Sequence, residues 1–377
     1  MIRDIREFKR LLEEIRWLDA QLCGKNFFLT WQRSLKEVQQ VLYTAEALKW
    51  LHENNISAKC FESGLAVLQI REQTSLEDVP GNTRVKWPIW TTWNRLSFVS
   101  AANLLGLAML QVDQEEGEIQ PVDLSLLAGA EIIGIQDTRP GAGEDKEGAG
   151  EEKEDSQSPG NEDETGSLNR LPGIIHLLTH LDHPSRGMAD LLRLKHHFGS
   201  LERLPAKKIA VTWSHSRSDS PASTPVGLPI TPPAVPQGVV ALATRFGMDV
   251  TLAYPEGYDL NAGVMEVAHQ HARDSGGRFT ILPSMDQALA DAEAVYLVNW
   301  SPATAGEKRP DPGDWQYGPE QAKLTREDSA LTLGCEAALA YHSHLIAALV
   351  VNNRFKEPAK LLENLRKGNS KRQIYPV

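Results

Sequence analysis

Residues 237–255 read QGVVALATRFGMDVTLAYP. The apolar residues keep helical spacing up to Gly247, and an apolar run follows at once. The stretch predicts a helix over 237–247 and a strand over 248–255. The alternation continues on both sides. KKIAVTW (207–213) reads as a strand, 261–276 as a helix ending in glycine, and 279–283 as a short strand. Ser284 is placed to cap a helix over 285–291, and AVYLVNW (294–300) reads as the next strand. Strands alternating with helices predict an α/β fold, a parallel doubly wound sheet with right-handed crossovers.

The amino-terminal half carries the same kinds of element. Ile5, Phe8, Leu11, Leu12, Ile15 and Leu18 predict a helix over 3–22. A second helix is predicted over 34–53, where Ser34 and Glu37 form a capping-box pattern. LAVLQI (65–70) and AEIIGIQ (130–136) read as strands, and Ser97 is placed to cap a helix over 97–108. Leu333, Ala337, Leu339, Ala340, Ile346, Leu349 and Val350 predict a long last helix.

Two stretches break this pattern. Residues 139–170 are Gly, Glu, Asp, Ser and Pro with almost nothing apolar; such a segment cannot offset its ordering entropy and is expected to be a disordered surface insertion. Residues 216–238, SRSDSPASTPVGLPITPPAVPQG, read as a stiff extended loop.

The 377 residues suffice for two ordinary domains. The formal net charge is −11, most of it within 141–166, which argues against nucleic acid or an anionic membrane as partner. No run of apolar residues is long enough for a transmembrane helix, and the charged start does not read as a secretory signal. Cys23, Cys60 and Cys335 are odd in number and far apart, which fits a reducing cytoplasm without a disulfide framework.

Ligands of doubly wound sheets sit at the carboxyl ends of strands. The positions to inspect are therefore 71–75, 176–187, 213–216, 254–260 and 299–304. No phosphate loop or dinucleotide fingerprint is present, and Gly141 and Gly143 follow no predicted strand; neither a nicotinamide nor another cofactor is expected. His176, His180 and His183 lie on a predicted strand and loop, and His342 and His344 fall on different helix faces, so no metal site is expected.

The segment Asp182-His183-Pro184-Ser185-Arg186 resembles the His-Pro-x-Gln segment of aspartate and ornithine carbamoyltransferases. FGSLE (198–202), PQGVVALATRFGMDVTLAYPEGYDL (236–260), DAEAVYLVNWSP (291–302) and KLTRED (323–328) extend the likeness downstream. FLTW (28–31), NISAKCFESGLA (55–66) and SFVSAANLLGLA (97–108) extend it upstream. Together these blocks resemble the knotted, YgeW-like branch of that family.

The resemblance implies two doubly wound domains. A carbamoyl-phosphate-type domain would span 1–138, with the acidic insertion at 139–170. An inter-domain strand and helix would follow over 171–200, and an amino-acid-binding domain over 201–330. The last helix, within 331–377, would return to the first domain. The proline-rich loop would thread through another, and three copies would assemble as a homotrimer. In such enzymes an amino group attacks the carbonyl of carbamoyl phosphate and phosphate leaves. The phosphate needs helix-start N–H groups and arginines, and the carbonyl oxygen needs aimed donors.

The implied residues are only partly kept. Where the family reads Ser-Thr-Arg-Thr-Arg, this chain reads Thr91-Thr92-Trp93-Asn94-Arg95, so Thr92 and Arg95 match and Trp93 replaces the first arginine. Trp87, Trp90 and Trp93 read as a packing patch beside it. No histidine stands between 113 and 126, where the family carries a loop shared between subunits. His183 is kept as a carbonyl donor, but Arg186 replaces the glutamine; a guanidinium offers donors and no acceptor and is suited to hold an anion. Gly334 precedes Cys335 where the family reads His-Cys-Leu-Pro.

Thr91, Thr92, Arg95, His183 and Arg186 are therefore the expected carbamoyl-phosphate residues, with Arg95 and His183 catalytic. Trp213, Asn299, Trp300 and Ser301 are the expected amino-acid-binding residues. Two readings follow: a carbamoyltransferase with weakened catalysis, acting on carbamoyl phosphate and an amino-acid-like acceptor, or a catalytically silent paralogue serving as a binding or structural subunit.

Overall fold

A computed structural model describes residues 4–71, 88–114, 129–137, 171–217, 230–300, 315–326, 331–333 and 339–368. The acidic insertion, the centre of the proline-rich loop with its expected threading, Trp87, Ser301, Gly334 and Cys335 lie outside them.

The chain opens with α1 (Ile5–Leu18), capped by the Asp4 carboxylate, which accepts from Arg6 N–H. A 3-10 turn at Thr30–Gln32 precedes α2 (Leu35–Glu53). The predicted capping box forms: Ser34 Oγ accepts from Glu37 N–H, and the Glu37 carboxylate accepts from Ser34 N–H.

The first sheet holds β1 (Leu65–Arg71), β2 (Ala108–Gln114), β3 (Ala130–Asp137) and β4 (Gly173–Leu178), all parallel, in the order β2-β1-β3-β4. Helix α3 (Pro88–Leu105) crosses from β1 to β2. Its start corrects the reading of Ser97 as a cap: Ser97 sits mid-helix and its hydroxyl serves another partner. Gly106, at φ +90°, ends the helix one residue past Leu105 and frees 108–114 to become β2, a strand the sequence pattern did not reveal.

After β4 comes α4 (Pro184–Phe198), with His183 as N-cap and Pro184 at its first position. The second sheet follows with β5 (Lys208–Trp213), then the two-residue strands β6 (Ser216–Arg217) and β7 (Ile230–Thr231). Helix α5 (Ala234–Arg245) begins three residues earlier than its apolar pattern predicted. Pro236 falls in its first turn, where the missing N–H would have had no helical partner. Next are β8 (Asp249–Ala253), α6 (Ala262–Ser275), β9 (Arg278–Leu282), α7 (Met285–Leu289) and β10 (Ala294–Trp300). Ser284 occupies the N-cap position of α7, but its side chain makes no capping bond.

β11 (Gln316–Tyr317) pairs with β6, and α8 (Pro319–Ala322) follows. β12 (Leu331–Leu333) pairs with β10, so Leu333 ends a strand rather than starting the last helix. That helix divides into α9 (Leu339–Arg354) and α10 (Pro358–Arg366), with Pro358 opening the second. The second sheet runs β12-β10-β5-β8-β9, with β7 added beside the end of β10. β5 and β10 are buried almost throughout, as central parallel strands covered on both faces must be.

Each sheet reverses its strand order once, at β1/β3 in the first and β5/β10 in the second. These reversals place a ligand crevice at the carboxyl ends of those strands. α9 returns to the first sheet's layer and packs on α2, α3 and α4.

Close helix approaches depend on small residues. A Cβ on Gly134 of β3 would lie 2.4 Å from Phe98 Cε2 of α3, and one on Gly187 of α4 would lie 2.8 Å from Leu242 of α5. The expected outcome for Gly134→Ala is a loss of about 1–3 kcal/mol in urea unfolding, partly recovered by adding Phe98→Leu. A variant as stable as the parent would contradict the packing.

Candidate functional site

The buried face of α3 presents Thr91, Asn94 and Ser97 at three-residue intervals toward the end of β3. Asn94 Nδ2 donates to Gln136 Oε1 at 2.9 Å, and Gln136 Nε2 donates to Thr91 Oγ1 at 2.8 Å. All three side chains are buried, and Gln136 lies one residue from the carboxyl end of β3, at the crevice.

Ser97 continues this polar line to another helix. Its Oγ lies 3.0 Å from Nδ1 of His342 on α9, and His342 Nε2 lies 2.6 Å from Ser185 Oγ on α4. The His342 ring is 5.3 Å from that of His183, tilted by 54°. Burial and the nearby Arg186 guanidinium push His342 down to about 3. Burial, His342 and Arg186 hold His183 well below the usual histidine range. Both rings are therefore neutral at ordinary pH. A neutral ring has one donor nitrogen and one acceptor nitrogen, so His342 gives a proton to one serine oxygen and takes one from the other.

Arg186 is 2% exposed, and Nε donates to Asp190 Oδ2 at 2.9 Å. The Tyr296 hydroxyl of β10 donates to the same oxygen at 2.8 Å. The ion pair lies within α4 and compensates the buried charge, and the Tyr296 bond ties it to the second sheet. Nearby, Asp182 Oδ2 accepts from both Thr30 N–H and Thr30 Oγ1 at 2.8 Å. Arg245 of α5 donates to the Thr30 and Arg33 carbonyls, so the second sheet's layer grips the turn before α2.

At the reversal of the second sheet, Trp213 Nε1 donates to the Trp300 carbonyl and Trp300 Nε1 to the Tyr258 carbonyl, each at 2.9 Å. Trp213 meets Tyr258 at 66° and 5.1 Å, and Trp315 at 81° and 6.3 Å. Asn299 is half-buried beside this aromatic block.

YgeW of Escherichia coli K12, described as a carbamoyltransferase, is 34% identical over 416 aligned residues, covering 95% of this chain and 96% of its own. The chain belongs to the carbamoyltransferase family. Ornithine carbamoyltransferase from Pyrococcus furiosus shares the fold at a TM-score of 0.64 with 16% identity, over 89% of this chain and 98% of that one. N-acetyl-L-ornithine transcarbamylase, in a variant solved with carbamyl phosphate and N-succinyl-L-norvaline, does so at 0.58 with 19% identity, over 87% and 99%. No family model matches the chain.

In this member of the family, His183 and Arg186 lie together at the start of α4, with Ser185 and His342 beside them. Thr91 joins Asn94 and Gln136. Thr92 and Arg95 do not join them, because the turn of α3 carries both to its exposed side. Trp93 is half-buried and packs against the core. Trp213, Asn299 and Trp300 come together, but both indole N–H groups are spent on backbone carbonyls.

Asn94, Gln136, Ser97, Ser185, Asp190, Tyr296 and His342 were not read as site residues. Gln136 alone had a local signal, a polar residue closing a buried strand. His342 and His344 do face apart, since His344 Nε2 lies 3.1 Å from His52 Nδ1 of α2. Among the described residues no group of three or more His, Cys, Asp or Glu could hold a metal, and no helix is long and apolar enough to cross a membrane.

The neutral histidines make stability fall in acid. Below about 6.5 the unfolded chain takes up protons that folded His342, depressed to about 3, and folded His183 refuse. Asp182, raised by burial to about 6, opposes this between pH 6 and 4, because there the folded state holds a proton that the unfolded chain lacks. Two groups against one leave a net loss. Between pH 6.5 and 5, His342→Gln should remove about 1 kcal/mol per pH unit from the acid slope of urea-unfolding stability; parallel slopes would contradict the neutral bridge.

Proposed function

We propose that the chain binds carbamoyl phosphate between α3, the end of β3 and the start of α4, and an amino-acid-like acceptor beside Asn299, with carbamoyl transfer much slower than the family's chemistry allows. The fold carries both crevices, and His183 stands at the N-cap of a 15-residue helix, where an anion is favoured. A transcarbamylase of the same fold holds carbamyl phosphate together with N-succinyl-L-norvaline.

The observation that weighs on rate is the commitment of Arg186 to Asp190 and Tyr296. Its charge is compensated inside the protein before any substrate arrives. Arg95, the other cation expected at the phosphate, faces out from α3. Each preorganised donor lost from such a centre costs about 10²–10³ in rate. The same two observations favour the second reading, a catalytically silent paralogue that retains binding.

Trimeric assembly belongs to this proposal. Leu96 on α3 is 60% exposed and Leu110 on the edge strand β2 is 37% exposed. Thr92, Arg95 and Leu96 share the exposed side of α3, a face suited to a neighbouring copy, through which Arg95 would reach that copy's crevice, whereas Leu110 lies on the opposite face of the first sheet.

Titration with carbamoyl phosphate and with a bisubstrate phosphonate, read as a melting shift, should show binding. Assays on ornithine, aspartate and their acylated forms should show little or no transfer. Robust carbamoylation abolished by Arg95→Ala would overturn the weakened-catalysis reading, and a strict monomer in light scattering would overturn the shared face.

A further inference from the structure

Asn94 is 1% exposed and uses only part of its hydrogen-bonding capacity. Its Nδ2 donates to Gln136 Oε1. Its Oδ1 is buried and has no hydrogen-bond partner among the described residues. In the arrangement present, Gln136 Nε2 donates to Thr91 Oγ1 and Gln136 turns its oxygen to Asn94, which leaves the Asn94 oxygen as the acceptor to spare. A buried amide oxygen without a donor costs free energy, and a built-in acceptor of this kind calls for a ligand N–H.

The rest of the crevice says what that N–H belongs to. At position 186 the family resemblance calls for a glutamine, whose oxygen can accept from a carbamoyl NH2. Arg186 can only donate, and its Nε is bound to Asp190. Position 186 therefore offers no acceptor, and the one left on α4, Asp190 Oδ1, belongs to the carboxylate that compensates Arg186. Across the crevice α3 supplies one, one turn before Ser97, which reaches through His342 to Ser185 and hence to the α4 segment that carries His183.

We propose that Asn94 Oδ1 accepts a hydrogen bond from the amide NH2 of a carbamoyl ligand and so selects carbamoyl phosphate over other acyl phosphates. The proposal rests on the carbamoyl phosphate reading above and adds a specificity-determining residue to it. The residue type fits the task. Threonine, which the family pattern has at this position, ends in a hydroxyl that a helix can satisfy locally, whereas the longer asparagine reaches Gln136 and holds a carbonyl oxygen clear of the helix backbone.

Calorimetric titration of the full chain with carbamoyl phosphate and with acetyl phosphate tests it. The two share the phosphoryl and carbonyl groups and differ in NH2 against CH3. The wild-type chain should bind carbamoyl phosphate about tenfold more tightly, the worth of one good hydrogen bond. Asn94→Leu should bring the two ligands within about twofold by weakening carbamoyl phosphate alone. Asn94→Asp keeps an acceptor oxygen in the same shape; it should weaken both ligands through charge repulsion yet keep the preference, and it decides the matter if the leucine variant does not fold. Equal wild-type affinities, or an Asn94→Leu variant that weakens both ligands alike, would overturn the role of Asn94. Failure of the wild-type chain to bind either anion would instead overturn the carbamoyl phosphate reading, and this proposal with it.

Discussion

One imidazole between two serines sets the spacing of the helices that form the crevice. His342 reaches Ser97 across 245 residues of sequence and Ser185 across 157, and so joins α3, α4 and α9 at a single buried point. The bridge works only while the ring is neutral. A protonated ring would lose the nitrogen that accepts from one serine and place a second positive charge beside Arg186 in a medium of low dielectric. The pairing of Arg186 with Asp190 and Tyr296 belongs to the same arrangement, since it keeps the net charge next to both histidines small.

The consequences run outward from that point. α9 must lie on α2, α3 and α4 to deliver His342, so the carboxyl-terminal helices close the first sheet's layer although β12, just before them, belongs to the second sheet. α4 must keep its register against α5, which Gly187 and Gly238 permit: a Cβ at Gly238 would fall 2.5 Å from Asp182 Oδ1. Thr30, held by both Asp182 and Arg245, carries this restraint to the turn before α2. Thr30 thereby ties the first sheet's layer to the second sheet's layer.

The architecture was legible in the sequence because periodicity and punctuation are local. The alternation through 207–300, the Ser34–Glu37 box and the glycines ending helices each required only their neighbours. Errors fell where a local signal had two meanings. Ser97 looked like a cap because a serine before an apolar run usually is one, yet its partner lies on α9. Leu333 continued a helical spacing by coincidence, and only pairing with β10 made it a strand. The site was less legible for the same reason. His183 and Arg186 stand in one motif and were found together, whereas Asn94, Gln136 and His342 are ordinary residues until the fold assembles them. The charge of Arg186 was plain in the sequence; its compensation by Asp190, one turn along α4, and by Tyr296, on a different sheet, was not.

The most direct measurement is the titration of the His342 ring by nitrogen NMR on the histidine-labelled protein. The bridge predicts a neutral ring, with one protonated and one bare nitrogen, unchanged from pH 8 down to pH 5. A ring that takes up a proton near pH 6.5, as a solvated histidine does, would contradict it.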